Sequence, residues 1–120
     1  MEIIFVYNAK SDEVNLLIDF THKIISPSTY GCDLCKLTHT NLGQRKEWIA
    51  FKNGSPVKLE FYHLDEFEEK FNESHKYPVI LQKLTDGFEI LLDSREIAKL
   101  TSVNALIEAI TKHIESHINH

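Results

Sequence analysis

The chain has 120 residues, of which 42% are hydrophobic and 26% charged, and its formal net charge at pH 7 is -5. This length suits one domain over residues 1–120, which can bury roughly two-thirds of the surface that the unfolded chain exposes. The negative charge argues against a nucleic-acid partner, because phosphate binding depends on clustered lysine and arginine. The N-terminal apolar run is far shorter than the roughly 20 residues of a membrane span and has no basic start, so we expect no membrane partner and a cytoplasmic protein.

The first half of the chain predicts one buried strand, one long helix and a less regular segment. Ile3 to Tyr7 is continuously apolar, which is typical of a central strand covered on both faces. Ser11 is a good N-cap, and apolar residues at helical spacing predict a helix that ends near Ile25. Residues 27–54 predict a short helix from Cys32 and a second helix from Gln44 to Lys52, which Trp48 and Phe51 anchor by apolar packing.

The second half predicts three more strands and two helical stretches. Val57 to Tyr62 alternates apolar and polar side chains, as an edge strand does, and an acidic helix follows over Asp65 to Asn72. Tyr77 to Leu81 predicts a strand that starts on a proline, and a tight turn at Asp86-Gly87 predicts a hairpin with a strand that ends at Leu92. A last helix, capped at Ser94 or at Ser102, carries an apolar stripe of Val103, Leu106, Ile107, Ile110 and Ile114.

Without the insert at about 27–54, this order is βαβαββα and resembles the thioredoxin-like fold along nearly the whole chain. The resemblance implies an α/β, three-layer protein in which a helical, Cys-x-x-Cys-bearing insert separates helix 1 from strand 2. It also implies that the Ile3 strand lies inside the sheet and that the two alternating strands lie at its edges. Thioredoxin-like proteins usually carry a cis proline at the start of the third strand, where this chain has Tyr77-Pro78. Both the cis and the trans form remain open here.

The cysteine pair is displaced relative to that family. Thioredoxin-like enzymes usually carry Cys-x-x-Cys directly after the first strand, but the turn at Asn8 to Ser11 contains no cysteine. The pair Cys32 and Cys35 follows the first predicted helix instead. The run from Ser26 to His39 resembles a motif of small uncharacterised bacterial proteins, and this resemblance implies no known activity.

The spacing of Cys32 and Cys35 indicates redox chemistry. Two cysteines three apart, in a chain without an export signal, are typical of a redox pair or of half a metal site. At the first turn of a helix, backbone N–H groups stabilise a Cys32 thiolate, and Cys35 can close a disulfide with it. The leading hypothesis is a reversible dithiol that exchanges with a protein thiol or disulfide partner. Tyr77 and Pro78 line the nearby groove if the insert folds over that edge.

Two alternatives use the same residues differently. Cys32, Cys35 and His39 offer three ligands for zinc or iron, and His22, on the inward ridge of the first helix, can supply the fourth ligand of a tetrahedral site. His22 can equally be a hydrogen-bonded core residue. The cysteines can also be small buried hydrophobic residues in a non-catalytic interaction protein. The sequence leaves the oligomeric state open.

Overall fold

The computed structural model describes residues 1–9, 32–40 and 43–118. The helix predicted from Ser11 to Ile25, and His22 with it, lie outside these residues. The described elements are β1 (Glu2–Tyr7), α1 (Asp33–Thr38), β2 (His39–Thr40), β3 (Gly43–Gln44), α2 (Lys46–Gly54), β4 (Lys58–His63), α3 (Leu64–Phe71), β5 (Val79–Leu84), β6 (Gly87–Leu92), α4 (Ser94–Ala98) and α5 (Val103–Ile118).

Four of the strands form one mixed sheet in the order β4-β1-β5-β6. Strand β1 is parallel to β4 and antiparallel to β5, and β5 is antiparallel to β6. The protein is therefore of the α/β class, with β1 inside the sheet and both strands of alternating pattern at its edges, as predicted. The hydropathy pattern of each strand matches its exposure: the continuously apolar residues Ile3 to Tyr7 are all buried, whereas the alternating strands β4 and β6 are partly exposed.

Successive side chains of β1 enter two different hydrophobic cores, because side chains alternate between the faces of a strand. Ile3, Phe5 and Tyr7 belong to the larger core, which includes side chains from α1, α2, α4 and α5. Ile4 and Val6 belong to a smaller core that α3 covers with Phe67. Helices therefore cover both faces of the sheet.

The segment between the cysteines and β4 contains a small hairpin that the sequence did not predict. His39 pairs with Gln44 and Thr40 with Gly43 in an antiparallel ladder. Strands of two residues are too short to show an alternating pattern. Helix α2 confirms the second predicted helix, and Trp48 anchors it to the sheet with no exposed surface and an edge-on contact to Phe5 at 5.5 Å between ring centroids.

The C-terminal half follows the predicted order with shifted boundaries. Strand β5 continues to Leu84 because Gln82 and Lys83 pair with β6 in the hairpin. The last predicted helix is two helices, α4 and α5. Asp93 rather than Ser94 is the N-cap of α4, because its side chain accepts from Glu96 N–H, whereas Ser102 accepts from Ala105 N–H at the start of α5. The Tyr77-Pro78 peptide bond is cis. None of the helices in the described part of the chain is both long and apolar enough to cross a membrane.

The ring of Phe67 is the centre of the smaller core, and its removal tests that core. It is fully buried and contacts the rings of Phe71 and Phe88 at centroid distances of 5.1 and 5.5 Å. We expect Phe67→Ala to lower the free energy of unfolding by about 3–5 kcal/mol, because it removes this packing and leaves a cavity. Urea unfolding measures the change. Ile90→Ala, at a side chain that is 50% exposed, is the control and should cost under about 1 kcal/mol. Equal losses in the two variants would contradict this description of the core.

Candidate functional site

Cys32 lies at the carboxyl end of β1, although the sequence separates it from that strand. It is the N-cap of α1, and its Sγ accepts a hydrogen bond from the backbone N–H of Cys35 at 3.3 Å. The backbone N–H of Asn8, the residue directly after β1, donates to the same sulfur at 3.4 Å. The structure thus brings the displaced cysteine pair to the end of the first strand.

The surroundings of Cys32 favour its thiolate. Burial acts to raise the pKa of this thiol, but hydrogen bonds from the Cys35 thiol and from the backbone N–H groups of Cys35, Asn8 and Leu34 outweigh it. The pKa of Cys32 is therefore below its ordinary value of 9.0. Hydrogen bonds to the charged form are the physical cause, since each donor stabilises the thiolate more than the thiol.

Both cysteines are free thiols and both are completely buried. Cys32 and Cys35 belong to the larger core and share it with apolar residues such as Leu34. A reagent in solvent therefore reaches neither sulfur in this conformation. Burial also strengthens the electrostatic effect of the donors at Cys32, because little water screens them.

A chain of buried polar side chains lies beside the cysteine pair. The Thr38 hydroxyl donates to the Leu34 carbonyl at 3.0 Å. Its oxygen also lies 2.7 Å from His39 Nδ1 and 3.4 Å from the Tyr7 hydroxyl. A hydroxyl can donate one proton and accept others through its lone pairs, so Thr38 links Tyr7, His39 and the Leu34 carbonyl in one buried network.

Tyr7 is the group whose ionisation this environment opposes most clearly. Burial raises its pKa well above the ordinary value of 10.0, and the nearby Cys35 and Cys32 add to the rise, against a lowering by the hydrogen bond with Thr38. The phenol therefore stays neutral over the pH range in which Cys32 ionises. The site therefore shifts the pKa values of two neighbouring acids in opposite directions.

The metal-binding alternative receives no geometric support from the described residues. Across residues 1–9, 32–40 and 43–118, no three His, Cys, Asp or Glu side chains converge in a way that could hold a metal ion. Cys32, Cys35 and His39 therefore do not form such a group by themselves. His22, which the sequence offered as a fourth ligand, lies outside the described residues.

Tyr77 and Pro78, which were predicted to line one groove near the cysteines, have different surroundings in the structure. Pro78 is buried directly before β5, whose Val79 pairs with Val6 near the carboxyl end of β1. The side chain of Tyr77 packs instead against the smaller core, on the opposite face from the cysteines. Its hydroxyl donates to Glu68 at 2.8 Å, and burial together with this carboxylate raises the pKa of Tyr77 to about 12.

Sequence reasoning missed three contributors to the site, namely Tyr7, Asn8 and Thr38. A tyrosine at the last position of a fully buried strand was a usable signal, because a buried phenol needs a hydrogen-bond partner. Thr38 lies within the segment that the sequence singled out, but the predicted chemistry used only its cysteine and histidine neighbours. Asn8 acts through its backbone N–H, which has no side-chain signature.

No protein-family model, curated protein or solved structure matches the chain.

The lowered pKa of Cys32 predicts that a thiolate forms at lower pH in the folded protein than in the unfolded one. Thiolate absorbance near 240 nm, followed against pH with and without urea, measures this without any reagent having to reach the sulfur. Since the folded state favours the thiolate, Cys32 stabilises the fold at pH values above its unfolded pKa. This contribution is lost as the pH falls through the folded pKa.

Two variants complete the titration. Cys35→Ala should move the folded transition to higher pH, because it removes the thiol that donates to Cys32, and Cys32→Ala should abolish the low-pH transition. If the thiolate of the folded protein formed at the same pH as that of the unfolded protein, or at a higher pH, the result would contradict the hydrogen-bond geometry at Cys32.

The Thr38 hydroxyl can be tested by a substitution that keeps the shape of the side chain. Thr38→Val removes a group that hydrogen-bonds with Tyr7, Leu34 and His39. We expect the free energy of unfolding to fall by about 1–3 kcal/mol, because buried polar groups lose a partner. Thr101→Val, at an exposed position, should change it by less than about 0.5 kcal/mol. Chemical denaturation of both variants measures the difference, and a neutral Thr38→Val would argue against the network.

Proposed function

We propose that this chain is a thioredoxin-like protein in which Cys32 and Cys35 act as a reversible dithiol. The observation that supports the proposal is the set of hydrogen bonds to Cys32 Sγ, which lowers the pKa of this thiol in spite of burial. A buried cysteine with only a packing role has its pKa raised by its apolar surroundings. The donors at Cys32 are an arrangement that packing alone does not require.

The strand order supports the finer fold assignment. In the four-stranded sheet β4-β1-β5-β6, β1 lies between β4 and β5, and the β1–β4 pair is the one parallel pair of this sheet. This is the arrangement that the resemblance to thioredoxin-like proteins implies. The contact between Asn8 and Cys32 adds that the thiol pair lies at the end of the first strand, where that family carries its Cys-x-x-Cys.

The proposed reaction moves two electrons and two protons from the dithiol to a disulfide of a partner protein. The Cys32 thiolate attacks one partner sulfur, forms a mixed disulfide and releases the other partner sulfur as a thiolate. Cys35 then loses its proton and attacks Cys32 Sγ, which forms the Cys32–Cys35 disulfide and releases the second partner thiolate. Both partner thiolates take up protons, one of which Cys35 has given up. In a reducing compartment such as the cytoplasm, the dithiol is the resting form.

The complete burial of both sulfurs favours a second candidate, a non-catalytic protein in which the thiols only fill the core. Under the dithiol proposal, the residues that cover Cys32 must move before a partner disulfide can reach it. Under the packing alternative, the native protein keeps both thiols reduced in oxidising buffer. The two candidates therefore differ in whether the folded protein can form a disulfide at all.

The chain contains two cysteines, so an intramolecular disulfide can only join Cys32 to Cys35. We expect the native protein to form it in glutathione buffers, with a loss of two hydrogens in mass spectrometry after alkylation of the remaining thiols. The midpoint potential should lie between about -270 and -120 mV, the range of thiol-disulfide oxidoreductases. Thiols that oxidise only in urea would overturn the dithiol proposal and leave the packing role.

Single variants and elemental analysis complete this experiment. Cys32→Ser and Cys35→Ser should each abolish the intramolecular disulfide, and Cys32→Ser should also abolish mixed disulfide formation with glutathione. Elemental analysis of protein purified without chelator tests whether the cysteines bind a metal ion instead. About one zinc or iron per chain, lost in Cys35→Ser, would replace the dithiol proposal by a metal site.

A further inference from the structure

A cavity of about 430 Å³ lies between the last two turns of α5 and the β5–β6 hairpin. His113 and His117 line it from α5, and Gln82 and Glu89 line it from the two strands. Gln82 and Glu89 are directly opposite each other in the β5–β6 ladder. Since Gln82 pairs with β1 near the first residues of that strand, the cavity lies towards the opposite end of the sheet from the cysteines.

On α5, the two histidines lie along one edge of the apolar stripe of the helix. This stripe consists of the buried residues Val103, Leu106, Ile110 and Ile114. His113 follows Ile110 by three residues and His117 follows Ile114 by three, so both histidines flank the stripe on the same side. His113 is half-buried and His117 is exposed. The two imidazoles therefore lie one helical turn apart, on the side of α5 that faces the hairpin.

The hairpin presents polar side chains to the same space. Ile80 belongs to the larger core, and Gln82 lies on the same face of β5 two residues later, where a polar side chain replaces the apolar one. Within the described residues, no hydrogen bond or ion pair joins the side chains of Gln82, Glu89, His113 and His117 to one another. Polar groups that converge on a cavity without bonding to each other are typical of a ligand site.

The spacing of the two histidines is that of a chelating pair. Residues four apart on a helix have Cβ atoms about 5–6 Å from each other, and an imidazole nitrogen binds zinc at about 2.0–2.1 Å. Two histidines at this spacing on one helix face hold zinc together with ligands from other elements. A carboxylate is a further ligand type of zinc, and Glu89 offers one from across the cavity.

We propose that His113 and His117 bind a zinc ion in this cavity, with the Glu89 carboxylate as the third protein ligand. No three potential ligands among the described residues already converge on one point, so binding requires Glu89 to change its rotamer. The exposure of this side chain permits the change. Water completes the coordination, and the Gln82 amide opposite Glu89 can hydrogen-bond the carboxylate or the water. The site shares no residue with the cysteine chemistry.

The test is a titration of the whole chain with zinc sulfate, followed by calorimetry and by the melting temperature. We expect one zinc ion per chain at micromolar concentrations and a rise in melting temperature, because an ion that binds the folded state stabilises it. His113→Gln and His117→Gln should each weaken binding about tenfold or more, because the remaining imidazole loses its partner in the chelate. Glu89→Gln should also weaken binding, because it removes the charged ligand.

Three further variants make the result specific. Cys35→Ser should leave the zinc affinity unchanged, which separates this site from a metal bound by the cysteines. His75→Gln should also leave it unchanged, because His75 contacts Phe67 on the other side of the sheet. Combining Glu115→His, at an exposed position, with His117→Gln restores the number of histidines on α5. It should not restore binding, because residues two apart do not face each other on a helix.

The zinc-free proteins show whether lost binding comes from unfolding. Without zinc, His117→Gln should melt at the same temperature as the unmodified protein, because His117 is exposed. No saturable zinc binding, equal binding in His113→Gln and His75→Gln, unchanged binding in Glu89→Gln, or loss of binding in Cys35→Ser would each overturn the proposal.

Discussion

Strand β1 is the constraint on which the rest of the structure depends. It is hydrogen-bonded to β4 on one side and to β5 on the other, and its residues from Ile3 to Tyr7 are all buried. Since these side chains alternate between two cores, one register of β1 determines what lies on each face of the sheet. The larger core contains the cysteines and the smaller one contains Phe67. Both cores therefore depend on a strand of six residues.

The candidate site is a direct product of how β1 ends. Hydrogen bonding along a strand stops at its last pair, so the backbone donors and acceptors that follow must find other partners. The N–H of Asn8 finds the sulfur of Cys32, and the carbonyl of Ala9 accepts from Leu64 N–H at 3.0 Å. Two residues after the strand thus fix the start of α1 and the start of α3. Backbone N–H groups of Asn8, Leu34 and Cys35 therefore act on Cys32 together with the Cys35 thiol.

The sequence predicted what depends on local pattern. The burial of β1, the alternation of β4 and β6, and the short helix for which Cys32 is the N-cap all follow from residues near one another in the chain. The contact of Asn8 with Cys32 could not be predicted in this way, because it joins a backbone group to a distant sulfur. The face on which Tyr77 lies was also missed. Alternation along β5 places it with Val79 in the smaller core, but that inference requires knowing where the strand begins.

Strand β1 supplies side chains to both cores, and its end places the N–H of Asn8 at Cys32. These two roles restrict where residues can be inserted into or deleted from this chain. A residue inserted before Phe5 would shift the following side chains to the opposite faces of the sheet or move the end of the strand by one position. The first outcome would place Tyr7 in the smaller core, away from Thr38, and the second would move the N–H of Asn8 away from Cys32. Insertions and deletions among natural variants of this protein are therefore expected to avoid residues 3–9, even where substitutions between apolar residues are tolerated.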